Sequence, residues 1–409
     1  MKAILANDTS GTSNPGCKGT VHCLVEGAQR HGISIVSRVP VGYGYDVFSS
    51  CFKSPPLSIG QRMENRLRRI CGAGRTAAVS PSPERIDRSR WREAISVMYE
   101  RLSPLWTDAD LLLVNGEGTI HHDSIGALAL IGICAAARRM RKKVALVNCS
   151  IFSLDEILVD SLRESVDYFS VREPMTFRYL KSNNIAATQS ADCLFLASRL
   201  SERPDTPRPV LSAKTPYVVY TPGVLSAFGR INESTVADDI KTIRNMGREV
   251  VYYVVEAEDE KFASVAARAG ASILPLGATR WEQVQPFLAG AEWVVSGRYH
   301  INIFASMSGT PFIPLETNTA KMQGLLELLG RHNSQSIRKW SQTSAVGGAA
   351  APRISPDAAI NISSVTIAKC ADLAEFSVDF TSRLDLSKKT SFPADNLPEM
   401  AEANLKTPR

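Results

Sequence analysis

The chain has 409 residues, of which 44% are hydrophobic and 22% are charged, and its net charge is +6. These fractions are typical of globular proteins and exclude a disordered or fibrous chain, and the length fits two domains better than one core. The longest apolar stretch, 125–137, is shorter than the roughly 20 residues that a membrane-spanning helix needs, so we expect a soluble protein.

Cysteine and histidine usage indicates a reducing compartment and no metal. The eight cysteines include no CxxC pair, and several lie in apolar runs where cysteine serves as a small hydrophobic residue. The six histidines form no HExxH motif and no cluster with cysteine. We therefore expect a cytoplasmic protein with no metal site and no cofactor.

The positive charge is concentrated between Arg62 and Arg92, a segment with nine arginines. Its one aromatic residue is Trp91 and it matches no nucleic-acid-binding motif, so we do not expect nucleic acid as a partner. Two interpretations stay open. The segment is either a solvent-exposed pair of helices or a surface for an acidic partner, such as peripheral contact with the inner membrane.

In chain order, short β-branched runs alternate with stretches of helical length over residues 1–202, which predicts a parallel sheet with helices on both faces. We predict strands at 3–6, 33–39, 111–115, 144–148 and 169–172. Helices are predicted at 17–32, 91–102, 125–142 and 174–183. These elements form a Rossmann-like first domain.

A proline-rich stretch at 203–215 predicts an interdomain linker, and a second series of elements occupies 216–331. Strands are predicted at 217–221, 250–255, 272–276, 293–296 and 312–315, and helices at 233–246, 258–269, 281–289 and 320–330. The predicted fold class is therefore α/β, with two Rossmann-like domains facing each other across a cleft (GT-B-like). Residues 332–409 are predicted to contain a low-complexity excursion, a closing helix at 367–384 that packs on the first domain, and a mobile tail.

Three strand ends of the first domain carry polar residues. The glycine-rich turn 7–19 is either a ligand-binding loop or an ordinary tight connection. Glu117, between two glycines and followed by His121, His122 and Asp123, forms an acid–base set, with helix capping by Glu117 as the alternative. Arg172 ends the next strand, where it could hold a carboxylate or phosphate, or pair with a neighbouring carboxylate.

Two motifs of the second domain suggest anion binding. Arg298 and His300 follow a strand end and supply a fixed cation and a titratable proton donor, unless they are a surface arginine and a core histidine. Lys321 falls in a first helical turn, where the helix dipole disfavours a cation unless it meets an anion. We therefore expect phosphate there, with an exposed lysine as the alternative.

The chain resembles the polysaccharide pyruvyl transferase family from about Ala3 to Gly330. Six motifs carry the resemblance, in chain order Asn14-Pro15-Gly16, Gly116-Glu117-Gly118, Ser170-Val171-Arg172-Glu173, Ala191-Asp192, Ser296-Gly297-Arg298-Tyr299-His300 and Lys321-Met322-Gln323-Gly324. The family's usual turn of glycines alone contains Glu117 here. The resemblance implies a GT-B-like fold, phosphoenolpyruvate as the donor, and a sugar on a growing glycan or lipid carrier as the acceptor.

This donor carries a carboxylate and a phosphate on one carbon, so its site needs cations for both groups and an acid that protonates its methylene carbon. The donor-binding candidates are Arg172, Gly297, Arg298 and Lys321. We expect His300 to be the acid and Glu117 or His121 the base that activates a sugar hydroxyl. The acceptor-binding candidates are Asp8, Asn14 and His122.

Two other functions stay open at this point. A GT-B glycosyltransferase of lipopolysaccharide or capsule synthesis, using a CMP-activated keto-sugar acid such as Kdo or sialic acid, needs nearly the same cations and base. The carboxylate of Glu117 favours that donor, whereas a compact second half without an obvious cytidine site favours pyruvyl transfer. A non-catalytic glycan-binding or lipid-carrier-binding protein of the same fold is disfavoured, because Glu117, Arg298, His300 and Lys321 are all present.

Overall fold

The computed structural model describes residues 1–52, 86–106, 108–199, 216–226, 231–331, 337–338, 354, 356–380 and 384. The predicted linker, most of the predicted excursion and the predicted tail lie outside these residues. So does the basic segment from Arg62 to residue 85. In the described part of the chain, no helix is long and apolar enough to cross a membrane.

The first domain is a parallel six-stranded sheet with helices on both faces. Its strands are β1 (Lys2–Asp8), β2 (Ser34–Pro40), β3 (Leu111–His121), β4 (Lys143–Phe152), β5 (Tyr168–Val171) and β6 (Thr188–Gln189), in the order β2-β1-β3-β4-β5-β6. Its helices are α1 (Pro15–Arg30), α2 (Tyr45–Cys51), α3 (Arg88–Leu102), α4 (Ile125–Arg139), α5 (Glu156–Ser165) and α6 (Pro174–Ser182). A short 3₁₀ helix, Cys193–Ser198, closes the domain.

Burial on both faces explains why the central strands have continuous apolar runs. Residues 3–6 of β1 and 111–114 of β3 are fully buried, as expected for strands covered by helices on each side. Helix α4 is also buried over most of its surface. Its Gly132 lies against Phe48, whose ring would come within 2.1 Å of any Cβ there.

The prediction that β3 ends at Asn115 is wrong, because the strand continues to His121. Glu117 pairs with Cys149 of β4, and His121 pairs with Phe152, with an irregular register between Glu117 and Ile120. The strand continues because β4 also extends, to Phe152, and supplies a partner for the additional residues. The two glycines around Glu117 therefore lie inside a strand and not in a turn.

The second domain is a parallel five-stranded sheet in the order β11-β10-β7-β8-β9. Its strands are β7 (Tyr217–Thr221), β8 (Glu249–Tyr253), β9 (Ser272–Leu274), β10 (Trp293–Ser296) and β11 (Phe312–Pro314). Its helices are α7 (Glu233–Asn245), α8 (Ala257–Glu260), α9 (Ala263–Arg268), α10 (Trp281–Leu288), α11 (Tyr299–Ser308) and α12 (Lys321–Leu328). One predicted helix, 258–269, is in fact two, α8 and α9. The carboxylate of Asp259 accepts hydrogen bonds from the backbone N–H groups of Val255 and Glu256 and so caps the start of α8.

The described parts of the two domains contact each other through several helices and are joined again by the last helix. Helix α1 packs on α10 and α11, and α6 packs on α12. Helix α13 (Ser364–Glu375) ends before the predicted residue 384 and leads to a segment that docks on the first domain. There the Ser377 hydroxyl group lies 2.7 Å from that of Ser170 and 2.8 Å from that of Ser190.

Candidate active site

Three asparagines connect the carboxyl-terminal halves of β1, β3 and β4. Asn7 donates a hydrogen bond to the backbone carbonyl of Asn115 at 2.7 Å, and Asn148 donates to the side-chain oxygen of Asn115 at 3.0 Å. Asn7 and Asn148 have left-handed backbones, with φ of 58° and 54°. Asparagine tolerates this conformation better than most residues. The three side chains therefore fix the strand ends from which the site is built.

Glu117 is buried and faces the turn after β1. Its Oε1 accepts hydrogen bonds from the Thr9 hydroxyl group at 2.7 Å and from the Asn115 amide at 2.9 Å, and its Oε2 accepts one from the Cys17 thiol at 3.1 Å. Burial and the neighbouring Glu117 raise the pKa of Cys17, so that this thiol keeps its proton and remains a donor. The alternative that Glu117 caps the next helix is wrong, because Ser124 caps α4.

His121 and His122 end β3 and lie beside each other, with their Nδ1 atoms 3.1 Å apart. Burial, together with the positive charge of Lys321 and the neighbouring His122, lowers the pKa of His121 to about 4. The His121 ring is therefore neutral at pH 7 and able to accept a proton. His122 is exposed and has a left-handed backbone, with φ of 50°.

Arg172 lies fully buried at the end of β5 and is held from three sides. Its Nε donates to the Ser150 hydroxyl group at 2.9 Å, and its Nη1 donates to Oδ2 of Asp192 at 2.8 Å. The guanidinium group also lies over the Tyr299 ring of the second domain, 4.4 Å from the ring centroid. Burial opposes the charge of Arg172, but Tyr299, Asp192 and Glu117 raise its pKa overall. The predicted pairing with a neighbouring carboxylate is observed, with Asp192.

Lys321 begins α12 and reaches across to the first domain at Gly118. A Cβ at Gly118 would lie 3.2 Å from Nη2 of Arg172 and 3.5 Å from Nζ of Lys321. Burial and the neighbouring Arg172 lower the pKa of Lys321 to about 8. Among the described residues, no carboxylate lies within ion-pair distance of its ammonium group. Both cations therefore lie within 3.5 Å of the place that the Cβ of a side chain at position 118 would take.

His300 lies in the first turn of α11 and is packed between the domains. A Cβ at Gly16 of α1 would come within 2.2 Å of the Cβ of His300, so the two helices approach as closely as glycine allows. The Nε2 atom of His300 is 3.6 Å from Oδ2 of Asp192. His300 is therefore a buried histidine at the domain interface that faces a carboxylate.

Arg298 is buried and surrounded by carboxylates. It binds Oδ1 of Asp259 at 2.8 Å and Glu258 at 3.2 Å, and it also forms an ion pair with Glu256. Burial opposes its charge, but Glu256 and Asp259 raise its pKa overall. Gly297, just before it, has no room for a side chain, because a Cβ would lie 2.3 Å from the carbonyl oxygen of Pro222. The alternative of a surface arginine is wrong.

Asn14 and Asp8, two of the residues predicted to bind the acceptor sugar, already have hydrogen-bond partners within the protein. Asn14 caps α1 through the backbone N–H of Gly16 at 2.9 Å, and its amide donates to Glu256 of the second domain at 2.7 Å. Asp8 accepts a hydrogen bond from Arg38 of β2 at 3.2 Å. Asn14 thus lies at the domain interface close to His300, whereas Asp8 faces the edge strand.

The sequence did not identify a second set of acidic residues, or the hydroxyl group of Thr20, as part of the candidate site. Glu256, Glu258 and Asp259 follow β8 directly and had the same strand-end signal as Glu117, but nothing in the pattern showed that they bind Arg298. Thr20, which donates to Asp192 at 3.1 Å, had no signal at all. Among the described residues, no three histidine, cysteine, aspartate or glutamate side chains are arranged to hold a metal ion.

The family model described as polysaccharide pyruvyl transferase matches residues 42–319, more than half of the 409-residue chain. The chain belongs to this family. Membership of the polysaccharide pyruvyl transferase family makes the protein a transferase that modifies glycans. No curated protein sequence matches it significantly.

Solved structures support the fold of this polysaccharide pyruvyl transferase family member. The UDP-GlcNAc 2-epimerase of Methanocaldococcus jannaschii is 11% identical, with a TM-score of 0.50 and coverage of 93% of both chains. A putative UDP-N-acetylglucosamine 2-epimerase of Listeria monocytogenes is 12% identical, with a TM-score of 0.50 and coverage of 92% of this chain and 90% of that chain. At such identities the similarity establishes the two-domain GT-B-like fold alone.

Proposed function

We propose that this enzyme transfers the pyruvyl group of phosphoenolpyruvate to sugar hydroxyls of a cell-surface glycan precursor. The observation that supports this most strongly is the pair of cations, Arg172 and Lys321, on either side of Gly118. A buried cation is costly unless an anion is bound to it. Lys321 has no carboxylate partner among the described residues, so a substrate anion is its natural partner.

The pair fits a small donor with two anionic groups. Ser150 and Asp192 occupy Nε and Nη1 of Arg172, so its Nη2, which faces Gly118, is the nitrogen that can donate to the carboxylate of the donor. Lys321 offers a point charge suited to phosphate. Because position 118 has no side chain, nothing at that position separates the two cations from a bound donor.

The reaction consists of two successive additions of sugar oxygens to C2 of the donor. His300 gives a proton to C3 while an oxygen of the sugar, deprotonated by the base, bonds to C2. The C2–O bond to phosphate then breaks, and phosphate leaves with the electron pair and takes up the proton that the base removed from the sugar. A second hydroxyl of the same sugar adds to C2, returns its proton to His300 and closes the cyclic ketal. The two cations stabilise the departing phosphate.

We propose His121 as the base and a positioning role for Glu117. His121 is neutral at pH 7, because its pKa is about 4. Both carboxylate oxygens of Glu117 already accept hydrogen bonds, from Thr9, Asn115 and Cys17. Glu117 thereby holds the turn 7–19 in place, and its negative charge stabilises the positive charge of Arg172.

We also propose that Arg298 holds the start of α8 through Glu256, Glu258 and Asp259 and does not bind the donor directly. Three carboxylates match its charge, so it has less to offer a further anion than Lys321 has. For the acceptor, exposed His122 and the interfacial amide of Asn14 are the stronger candidates. Asp8, which binds Arg38, is the weaker one.

The alanine variant of Gly118 tests the donor site. Its Cβ would occupy the space between the two cations without meeting any backbone atom within 3.2 Å. The control is Gly11→Ala, because a Cβ at Gly11 has no atom within 4 Å. Phosphoenolpyruvate at 100 times its dissociation constant should stabilise the wild type and Gly11→Ala by about 2.7 kcal/mol, seen as a higher melting temperature.

We expect Gly118→Ala to keep its fold and to lose most of this stabilisation. CMP and CMP-Kdo serve as the competing probes. If they stabilise the wild type and phosphoenolpyruvate does not, the donor is a CMP-activated keto-sugar acid and the proposal is wrong. If Gly118→Ala binds phosphoenolpyruvate as the wild type does, the two cations are not the donor site.

A further inference from the structure

Asp192 is a fully buried carboxylate that contacts both domains. It precedes the 3₁₀ helix Cys193–Ser198, and its Oδ1 accepts hydrogen bonds from the backbone N–H of Leu194 at 2.9 Å and from the Thr20 hydroxyl group at 3.1 Å. These two bonds fix the plane of the carboxylate. Its other oxygen, Oδ2, therefore has a defined direction.

Oδ2 faces two candidate site residues at once. It accepts a hydrogen bond from Arg172 at 2.8 Å and lies 3.6 Å from Nε2 of His300. In the part of the chain that the structure describes, this buried Nε2 has no hydrogen-bond partner. Since a buried polar atom is costly without a partner, Asp192 is the group toward which this nitrogen is directed.

The opposite nitrogen of the same ring faces the first turn of α1. A Cβ at Gly16 would lie 2.7 Å from Nδ1 of His300, so only glycine allows α1 to approach this atom so closely. Unlike Nε2, Nδ1 is not among the buried polar atoms without a hydrogen-bond partner in the described part of the chain. The two nitrogens therefore have different surroundings. One faces a carboxylate and the other faces the glycine at the domain interface.

We infer that Asp192 is a positioning residue that keeps the proton of neutral His300 on Nε2 and so makes Nδ1 the atom that exchanges a proton with the substrate. The inference rests on the proposed function for the identity of the substrate. Protonated His300 gives its Nδ1 proton to C3 of the donor, and the neutral ring that remains carries its proton on Nε2. The second sugar hydroxyl then returns a proton to Nδ1.

The wild-type protein provides the first test, by nitrogen-15 NMR of labelled histidine. The chain has six histidines, and His300→Gln identifies the resonances that belong to position 300. We expect the neutral His300 ring to carry its proton on Nε2 and that proton to exchange slowly with solvent. A proton on Nδ1 in the wild type would overturn the inference, whatever the donor, because this measurement needs no substrate.

The Asp192→Asn variant provides the second test. The amide oxygen can still accept from Thr20 and Leu194, and the NH₂ group then faces both Arg172 and His300. The hydrogen bond from Arg172 is lost, and Nε2 of His300 must become an acceptor. We expect the ring proton to move to Nδ1 and kcat to fall by about 100- to 10,000-fold. A proton that stays on Nε2 would show that Asp192 does not select the tautomer.

Ser150→Ala is the matched control, because Ser150 also binds Arg172 but is not directed at His300. It should raise the KM for the donor by about two- to tenfold and leave the proton on Nε2. If kcat falls equally in both variants, Asp192 acts through Arg172 alone and the inference is wrong. Failure of phosphoenolpyruvate to bind the wild type would instead contradict the proposed donor and leave the tautomer result standing.

Discussion

The guanidinium group of Arg172 and the ring of Tyr299 are stacked across the domain interface, with 4.4 Å between the central carbon of the arginine and the ring centroid. The first residue comes from the end of β5 and the second from the start of α11. The buried hydroxyl group of Tyr299 has no hydrogen-bond partner among the described residues. The ring of this tyrosine should therefore stabilise the folded protein, whereas its hydroxyl group should destabilise it.

We predict that Tyr299→Phe keeps full donor affinity and leaves the melting temperature unchanged or higher by up to about 3 °C, because it removes an unpaired buried hydroxyl group. Tyr299→Leu removes the ring from Arg172 and should lower the melting temperature by roughly 5 °C, the effect of losing about 2 kcal/mol. Thermal melts of both variants check this. Equal destabilisation by Phe and Leu would mean that the hydroxyl group has a partner.

The pKa of Lys321 predicts how donor binding depends on pH. Burial and Arg172 lower this pKa to about 8, so the ammonium group is charged below pH 8 and loses its proton above it. The donor dissociation constant should therefore stay constant from about pH 7 to 8 and rise about tenfold for each further pH unit. Calorimetric titration with phosphoenolpyruvate measures it. Lys321→Met should bind weakly with no such pH dependence, and a pH-independent wild type would contradict the role of Lys321.

His121→Gln and Glu117→Gln distinguish the two candidate bases. His121→Gln should leave donor affinity unchanged and lower kcat by about 100- to 10,000-fold, because it removes the neutral imidazole. Glu117→Gln should lower the free energy of unfolding by about 1–3 kcal/mol, because its NH₂ group would face a donor. Denaturant unfolding and steady-state kinetics check the pair. A Glu117→Gln protein that is stable but inactive would make Glu117 the base.

Gly16→Ala should disrupt the domain interface at His300. Its Cβ would lie within 2.2 Å of the Cβ of His300, so either the helices α1 and α11 separate or the histidine moves. We expect a loss of kcat/KM of at least about 100-fold, since a proton donor is displaced. Gly11→Ala in the same turn has no atom within 4 Å of its new Cβ and should behave as the wild type. Similar activity in the two variants would contradict the assignment of His300 to the site.

Most of the fold was predictable because the strands β1, β3, β4, β7 and β10 are short and buried, and such runs are visible in the sequence. The GT-B-like pair of domains follows from their alternation with helices, and the structure confirms it. The end of β3 was not predictable, because glycines at 116 and 118 indicate a turn. Only the extended partner strand β4 keeps those residues in the sheet.

The sequence indicated candidate residues for the site but not their partners. Strand-end position marked Glu117, Arg172, Arg298 and His300, since the carboxyl ends of parallel strands meet at one edge of a sheet. The group with which each residue pairs is set by contacts between residues that are far apart in the chain. Arg298 meets Glu256 and Asp259 of its own domain, and Arg172 meets Tyr299 of the other, and no local pattern contains such information.

The chain leaves the first domain after residue 199 and returns to it after Ile360, which pairs with Phe312 of β11, so that Ser377 docks on Ser170 and Ser190. His300 and Lys321 both belong to the second domain, whereas Arg172 belongs to the first. Any movement of one domain against the other therefore shifts the proton donor and the second cation together relative to Arg172.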